Sequence, residues 1–254
     1  MEWEEMIMEH IKQLAGGLRL SYLRKHCEEI LLEAKHLSKS NEEFLIELLE
    51  KECETRRSNG IQRRIQDAKF PFKKYIEDFK IDRFPKDIQV KLKELMNLQF
   101  MEEKENIVCV SNPGMGKTHY AIGLGIRACL QSKKVLFVSV PNLILELREA
   151  MTRNQITQYK RKFEKYDLVI LDELGYVSFD KDGSEILFNL ISNRLQIGSM
   201  IITTNLSFDR WQEIFKDPVL TTAMVDRLAH KSHILNMNGD SYRVEETLEW
   251  LKSK

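Results

Sequence analysis

No proline occurs in residues 1–68, and the whole chain of 254 residues carries only five. A long opening stretch without that helix breaker is free to be helical throughout. No apolar run approaches the roughly 18 residues of a membrane-crossing helix, so no membrane contact is expected. Neither sign of charge is in excess: Lys+Arg and Asp+Glu both number 39. That excludes a uniformly basic surface, and any contact with nucleic acid must come from local patches. The four cysteines, Cys27, Cys53, Cys109 and Cys129, include no C-x-x-C pair. A zinc site or redox motif is therefore not expected. Cys109 and Cys129 sit in apolar runs and read as buried thiols. The chain opens on Glu2, Glu4 and Glu5, where a secretory signal would carry basic residues, so a cytoplasmic location is expected. What is present suffices for a folded core: 43% of residues are hydrophobic and 31% charged. The length fits one large domain, or a medium one with a small one.

Residues 1–68 read as a small all-helical domain, and residues 69–254 as a second one. Glu28–Lys35 places Ile30, Leu31 and Ala34 on one face. Ser40-Asn41-Glu42-Glu43 fits a capping box, with Ser40 as N-cap and Glu43 reaching back. Phe44, Leu45, Leu48 and Leu49 then form an amphipathic stripe. The helix continues into the arginine-rich segment Lys51–Arg64, where Ser58-Asn59-Gly60 is either a break or a weak spot. Pro71 and Pro85 bracket a less regular stretch, followed by a short helix over Lys86–Leu98. From Asn106 onward β-rich and helical runs alternate. Strands are expected at 107–110, 134–140, 168–171 and 200–204, and helices at 118–130, 143–151 and 186–195. Such alternation predicts an α/β fold with a mostly parallel sheet.

The strongest local signal is Ser111-Asn112-Pro113-Gly114-Met115-Gly116-Lys117-Thr118. It misses the phosphate-binding pattern G-x-x-x-x-G-K-[ST] by one residue, since Ser111 stands where the first glycine is usual. Gly114 and Gly116 let successive backbone N–H groups turn toward phosphate oxygens. Lys117 supplies positive charge for the β- and γ-phosphates. Thr118 offers a hydroxyl to Mg²⁺ and starts a helix whose N-terminus favours anions. A strand candidate, Asn106–Val110, precedes the loop, and a helix candidate, Thr118–Leu130, follows it. Asp167–Glu173 is a second apolar strand ending in two acids. Asp172 is placed to hold Mg²⁺, and Glu173 to polarise an attacking water. Met200–Asn205 is a third, and Asn205 could orient that water or simply make a turn.

In this order, the three elements resemble an AAA+ ATPase. Further motifs narrow the resemblance: Phe70-Pro71, Ile76–Phe79, Thr118-His119, Asp172-Glu173-Leu174-Gly175-Tyr176, Thr204-Asn205, Trp211, Asp217-Pro218, Asp226-Arg227-Leu228 and Asp240-Ser241-Tyr242-Arg243. Together they resemble the IstB-like helper ATPases of insertion sequences, relatives of the DnaC-type helicase loaders, over nearly the whole chain. The Leu-Gly-Tyr after the acids and the His230-Lys231-Ser232-His233 run favour the transposition branch. The resemblance implies an AAA+ P-loop domain using ATP and Mg²⁺. It implies that Asn112, Pro113, Gly114, Met115, Gly116, Lys117, Thr118 and His119 hold nucleotide, and that Thr118 and Asp172 hold the metal. Glu173 is then the base, Asn205 the first sensor, and Arg227 an arginine finger reaching a neighbouring subunit's site; an intrahelical salt bridge is the plainer role for Arg227. The chain stops soon after Arg243, so no C-terminal lid domain is expected, and more weight falls on Arg227.

Two locally basic patches are candidates for DNA. Arg56, Arg57, Arg63 and Arg64 close the helical domain. Arg148, Arg153, Lys160, Arg161, Lys162 and Lys165 flank the helices between the second and third strands, a region that faces nucleic acid in initiator-type relatives. Such residues meet phosphates, or serve as a solvated helix face. Without interleaved aromatics, duplex DNA is a better fit than single strands. The implied partners are duplex DNA, a transposase and further copies of this chain, the last through the helical domain. The nearest alternative is a helicase loader acting on single-stranded DNA. A metabolite kinase and a non-hydrolysing nucleotide-dependent scaffold are more distant ones.

Overall fold

The computed structural model describes residues 2–37, 39–176, 179–239 and 250–251. The chain forms two compact units, residues 1–63 and residues 64–254. The change of unit falls inside one continuous helix.

The first unit holds α1 (Glu2–Gly17), α2 (Ser21–His36) and most of α3 (Asn41–Asp67). The start of α3 is the reciprocal capping box: Ser40 N donates to the Glu43 carboxylate at 2.9 Å, and Glu43 N donates to Ser40 Oγ at 3.2 Å. The backbone N–H of Ser40 lowers the Glu43 pKa. Ser58-Asn59-Gly60 does not break α3. The weak spot costs about 1 kcal/mol for the glycine, and the rest of the helix carries it. The N-terminus of α2 has no side-chain cap of its own. Glu52 from α3 supplies one, accepting the N–H groups of Ser21, Tyr22 and Leu23 at 2.8, 2.8 and 3.3 Å. That satisfies three donors which a helix start leaves orphaned. Among the described residues of this unit, only Ala15, Cys27 and Glu52 are buried. Trp3, Met6, Ile7 and Leu14 on α1, and Leu45, Ile46 and Leu49 on α3, are exposed.

The second unit begins with an irregular stretch containing two 3-10 turns, Ile76–Asp78 and Ile81–Arg83. There follow α4 (Lys86–Leu95), α5 (Gln99–Glu102), β1 (Asn106–Val110), α6 (Lys117–Leu130), β2 (Val135–Ser139), α7 (Val140–Thr152), α8 (Ile156–Glu164), β3 (Leu168–Leu174), α9 (Lys181–Arg194), β4 (Ser199–Thr204), α10 (Gln212–Phe215), α11 (Pro218–His230) and β5 (Ser232–Asn236). The five strands pair in parallel in the order β2-β3-β4-β1-β5. Both faces are covered, which is why β1, β3 and β4 read as near-continuous apolar runs. One core layer gathers Leu92, Tyr120, Ile122, Leu124 and Ile170. The other gathers Leu143, Leu147, Leu187, Ile191, Trp211 and Leu228. Each such side chain contributes about 2 kcal/mol through burial.

Two local devices seat the helices. Asp217 caps α11 by accepting from Val219 N and Leu220 N, with Pro218 in the first turn. Arg194 is 1% exposed and donates to the carbonyls of Phe163, Tyr166 and Ser199, tying the end of α8 to β4. Burial pushes its pKa down to about 10. Cys109 and Cys129 are buried thiols, as their apolar runs suggest. Among the described residues, no helix is long and apolar enough to cross a membrane. The Asp240–Arg243 motif lies outside the described residues.

The strand order brings the C-terminal ends of β1, β4 and β3 side by side. In an open parallel sheet the crevice beside such a reversal of strand order is where ligands bind. The segments after these three strands are the three motif-bearing ones.

Candidate functional site

The loop after β1 turns sharply at two glycines, Gly114 (φ 85°) and Gly116 (φ 88°), in the left-handed region that side chains resist. At Gly116 there is also no room: a Cβ would lie 3.0 Å from the ring of Phe79. Lys117 opens α6 and is buried. Its Nζ donates to Ser111 O at 2.6 Å, Asn112 O at 2.9 Å and Ser111 Oγ at 3.1 Å. The serine at the usual glycine position thus adds an acceptor for the ammonium. Asn112 N donates to Asn238 Oδ1 at 3.0 Å, pinning the loop's first limb. Asn112 and Pro113 sit on the exposed limb of the loop, whereas Met115 is buried beneath it.

The acids at the end of β3 differ in setting. Asp172 is 5% exposed, and its Oδ1 accepts from Thr118 Oγ1 at 2.9 Å and Thr203 Oγ1 at 2.6 Å. Burial raises its pKa, against the pull of these two hydroxyls and the charge of Lys117. Glu173 is exposed. The β3–β4 register slips between Leu171 and Leu174, and Glu173 has φ 65°. A glutamate there is strained by about 1–2 kcal/mol, a cost concentrated at functional sites. Thr203 Oγ1 accepts the Glu173 N–H at 3.0 Å and so fixes both acids. Thr203 was not singled out in the sequence; the available signal was a hydroxyl inside an otherwise apolar buried strand.

Thr118 Oγ1 and Asp172 Oδ1, the expected metal ligands, lie within hydrogen-bond distance of one another. The donors are hard oxygens, and the carboxylate is desolvated. This set fits Mg²⁺, which takes few protein ligands and keeps water and phosphate oxygens.

A pocket of about 560 Å³ opens beside the loop, lined by Gly114, Met115, Gly116, Lys117, Thr118, His119, Glu173 and Thr203 on one side. Its other wall is the irregular stretch, with Phe72, Asp78, Phe79 and Phe84 among the contributors. These wall residues also escaped the sequence reading as pocket residues, because 3-10 turns leave no periodic pattern. The stretch is fastened to α6 at Gly123, where a Cβ would meet Ile76 at 3.0 Å.

Asn205 lies just beyond β4, with its Oδ1 buried and without a hydrogen-bond partner. It presses on Gly175, where a Cβ would meet that oxygen at 2.9 Å. Arg227 is exposed on α11, its guanidinium 4.8 Å from the centroid of the Phe188 ring on α9.

The basic candidates divide by what they touch. In the first unit, Arg56 donates to Arg19 O at 3.4 Å, and Arg57 and Arg63 are exposed. In the second, Arg64 donates to Cys129 O and Ser132 Oγ, both at 3.1 Å, and so caps the end of α6. Arg148 pairs with Asp180. Arg153 sits 3.8 Å from Glu149. On α8, Ile156, Tyr159 and Phe163 pack inward. Lys160 is half-buried, whereas Arg161 and Lys162 are exposed.

Residues 13–249 match the family described as IstB-like ATP binding protein. An ATP-binding protein of insertion sequence IS21 from Pseudomonas aeruginosa is 34% identical, over 94% of this chain and 90% of that one. Its counterpart from insertion sequence IS5376 of Geobacillus stearothermophilus is 36% identical, over 94% and 95%. Among solved structures, AMPPCP-bound DnaA from Aquifex aeolicus aligns with a TM-score of 0.55 at 17% identity, covering 71% of this chain and 55% of that chain. The DnaI structure aligns with a TM-score of 0.54 at 16% identity, covering 64% and 90%. At these identities the structural likeness is one of fold.

Proposed function

The chain belongs to the family of IstB-like ATP-binding proteins, and from that premise we propose that it is a transposition helper that assembles on duplex DNA under control of ATP. It is an ATPase with the AAA+ fold. The observation that carries the chemistry is the meeting of the glycine loop, Lys117, Thr118 and the Asp172–Glu173 pair at one sheet edge, with Thr118 Oγ1 2.9 Å from Asp172 Oδ1.

In this reading the loop amides from Asn112 to Thr118 wrap the phosphates, and the Lys117 ammonium moves its hydrogen bonds to their oxygens. When bound at Thr118 and Asp172, Mg²⁺ supplies positive charge to the β- and γ-phosphate oxygens. Glu173, on its strained bulge, faces the pocket and takes a proton from the attacking water. Asn205 uses its unpartnered amide to orient that water. Arg227 projects from α11 as a finger for the next subunit's site, where charge develops in the transition state.

Assembly on DNA and the transposase partner are supported by the relatives' origin in insertion sequences. Arg161 and Lys162 on α8 are the best-placed cations for phosphates, because neither is committed to the core. The exposed apolar residues of α1 and α3 suit contact with another subunit or with the transposase. The test is duplex binding with ATP, with ADP and without nucleotide. ATP should tighten binding at least about tenfold, and single-stranded competitor should displace the duplex poorly. Equal affinity in all three conditions sinks nucleotide-gated assembly, and a preference for single strands favours a helicase loader.

A further inference from the structure

The groups described so far recognise phosphates and leave the base unread. We propose that His119 reads the exocyclic amino group of adenine and makes the pocket adenine-selective, an inference that rests on the pocket being a nucleotide site. His119 stands in the first turn of α6, next to Thr118, and lines the pocket with Asp78 and Phe79. Its Nε2 is 3.0 Å from Tyr75 O. A carbonyl only accepts, so Nε2 carries the proton. The carbonyl is itself held in place, since it also accepts from Asp78 N at 3.2 Å within the 3-10 turn. The Phe79 ring meets the imidazole edge-on, with centroids 5.4 Å apart and planes at 76°, which fixes the ring's orientation.

With Nε2 protonated, Nδ1 of the neutral ring is a bare acceptor, and it has no hydrogen-bond partner among the described residues. Burial lowers the His119 pKa and keeps the ring in that neutral form. Adenine offers an amino donor at the position where guanine carries a carbonyl oxygen. Nδ1 therefore satisfies adenine and sets two lone pairs against each other with guanine. Sites that discriminate by a hydrogen bond do so strongly, because the wrong ligand leaves a desolvated polar atom unpaired.

The test uses the full chain and two variants, with ADP and GDP each measured by equilibrium dialysis in the presence of Mg²⁺. In His119→Gln the side-chain amide N–H can still reach Tyr75 O, but no acceptor replaces Nδ1. In His119→Asn the amide oxygen can take the Nδ1 position, while the Tyr75 contact is lost. Wild type should prefer ADP. The Gln variant should lose about tenfold of that preference, and the Asn variant should keep it within about threefold. An unchanged ratio in the Gln variant, or equal losses of both nucleotides in both variants, overturns the proposal and leaves His119 as a prop for the turn. Wild type that binds ADP and GDP equally overturns it as well. Wild type that binds neither overturns the nucleotide reading itself, and this inference with it.

Discussion

The two units solve opposite problems. Residues 64–254 bury whole strands between two apolar layers and can therefore hold strained and desolvated groups, such as Glu173 at positive φ and Asp172 at 5% exposure. Residues 1–63 bury almost nothing apolar among their described residues, and one of their three buried residues is a carboxylate, Glu52. A rigid core lets a few residues carry chemistry. A thin one makes a surface, stabilised by caps and ready for a partner. Substitutions in the first class should change rates greatly and stability little, and those in the second class the reverse.

The largest effects belong to the α/β unit. Glu173→Gln should lower ATP turnover on the order of 10³-fold, with nucleotide affinity held within about threefold. Arg227→Ala should cost a comparable about 10³-fold only in the assembled state. Mixing it with Lys117→Ala should restore part of the activity, because each protein then supplies what the other lacks. If Arg227→Ala is silent, the arginine is merely the cation over Phe188.

A middle-sized effect is expected in the helical unit. Glu52→Ala strips three N–H groups at the start of α2 of their acceptor. It should destabilise this unit by about 2 kcal/mol, read as a lowered melting transition by circular dichroism, while ADP affinity stays the same. A large loss of ADP binding would break the division of labour between the units.

The smallest effect sharpens the surface side of the comparison. The double change Arg161→Ala, Lys162→Ala should reduce the slope of log affinity for duplex DNA against log salt by about 2. Turnover without DNA should not move. An unchanged slope would make α8 an ordinary solvated face.

The legibility of the sequence follows the same divide. β1, the glycine loop and α6 stand out because a buried strand, a phosphate loop and a helix each have a strong local signature. The last strand did not: Ser-His-Ile-Leu-Asn is an edge strand with two apolar residues, which alternation alone does not pick out. The strand expected at 168–171 runs on to Leu174, because the bulge lets Asp172 and Glu173 stay in the sheet. The helix expected at 143–151 starts earlier, at Val140, since Pro141 is tolerated in a first turn. The short helix expected to reach Leu98 stops at Leu95, and Leu98 takes a left-handed turn (φ 66°). Phe79 and Tyr75, which shape the pocket's far wall, act through tertiary contacts with Gly116 and His119. No window of sequence contains both partners. Glu52 was hidden for the same reason, its three donors lying about thirty residues upstream.

The central claim is that Lys117 can exchange its three loop acceptors for phosphate oxygens. Titration calorimetry of the wild-type chain and Lys117→Ala with ATP and Mg²⁺ tests it most directly. Saturable heat from the wild type, and at least about a hundredfold weaker binding in the variant, is the predicted result. Equal binding by both proteins, or no heat from a folded wild type, would contradict it.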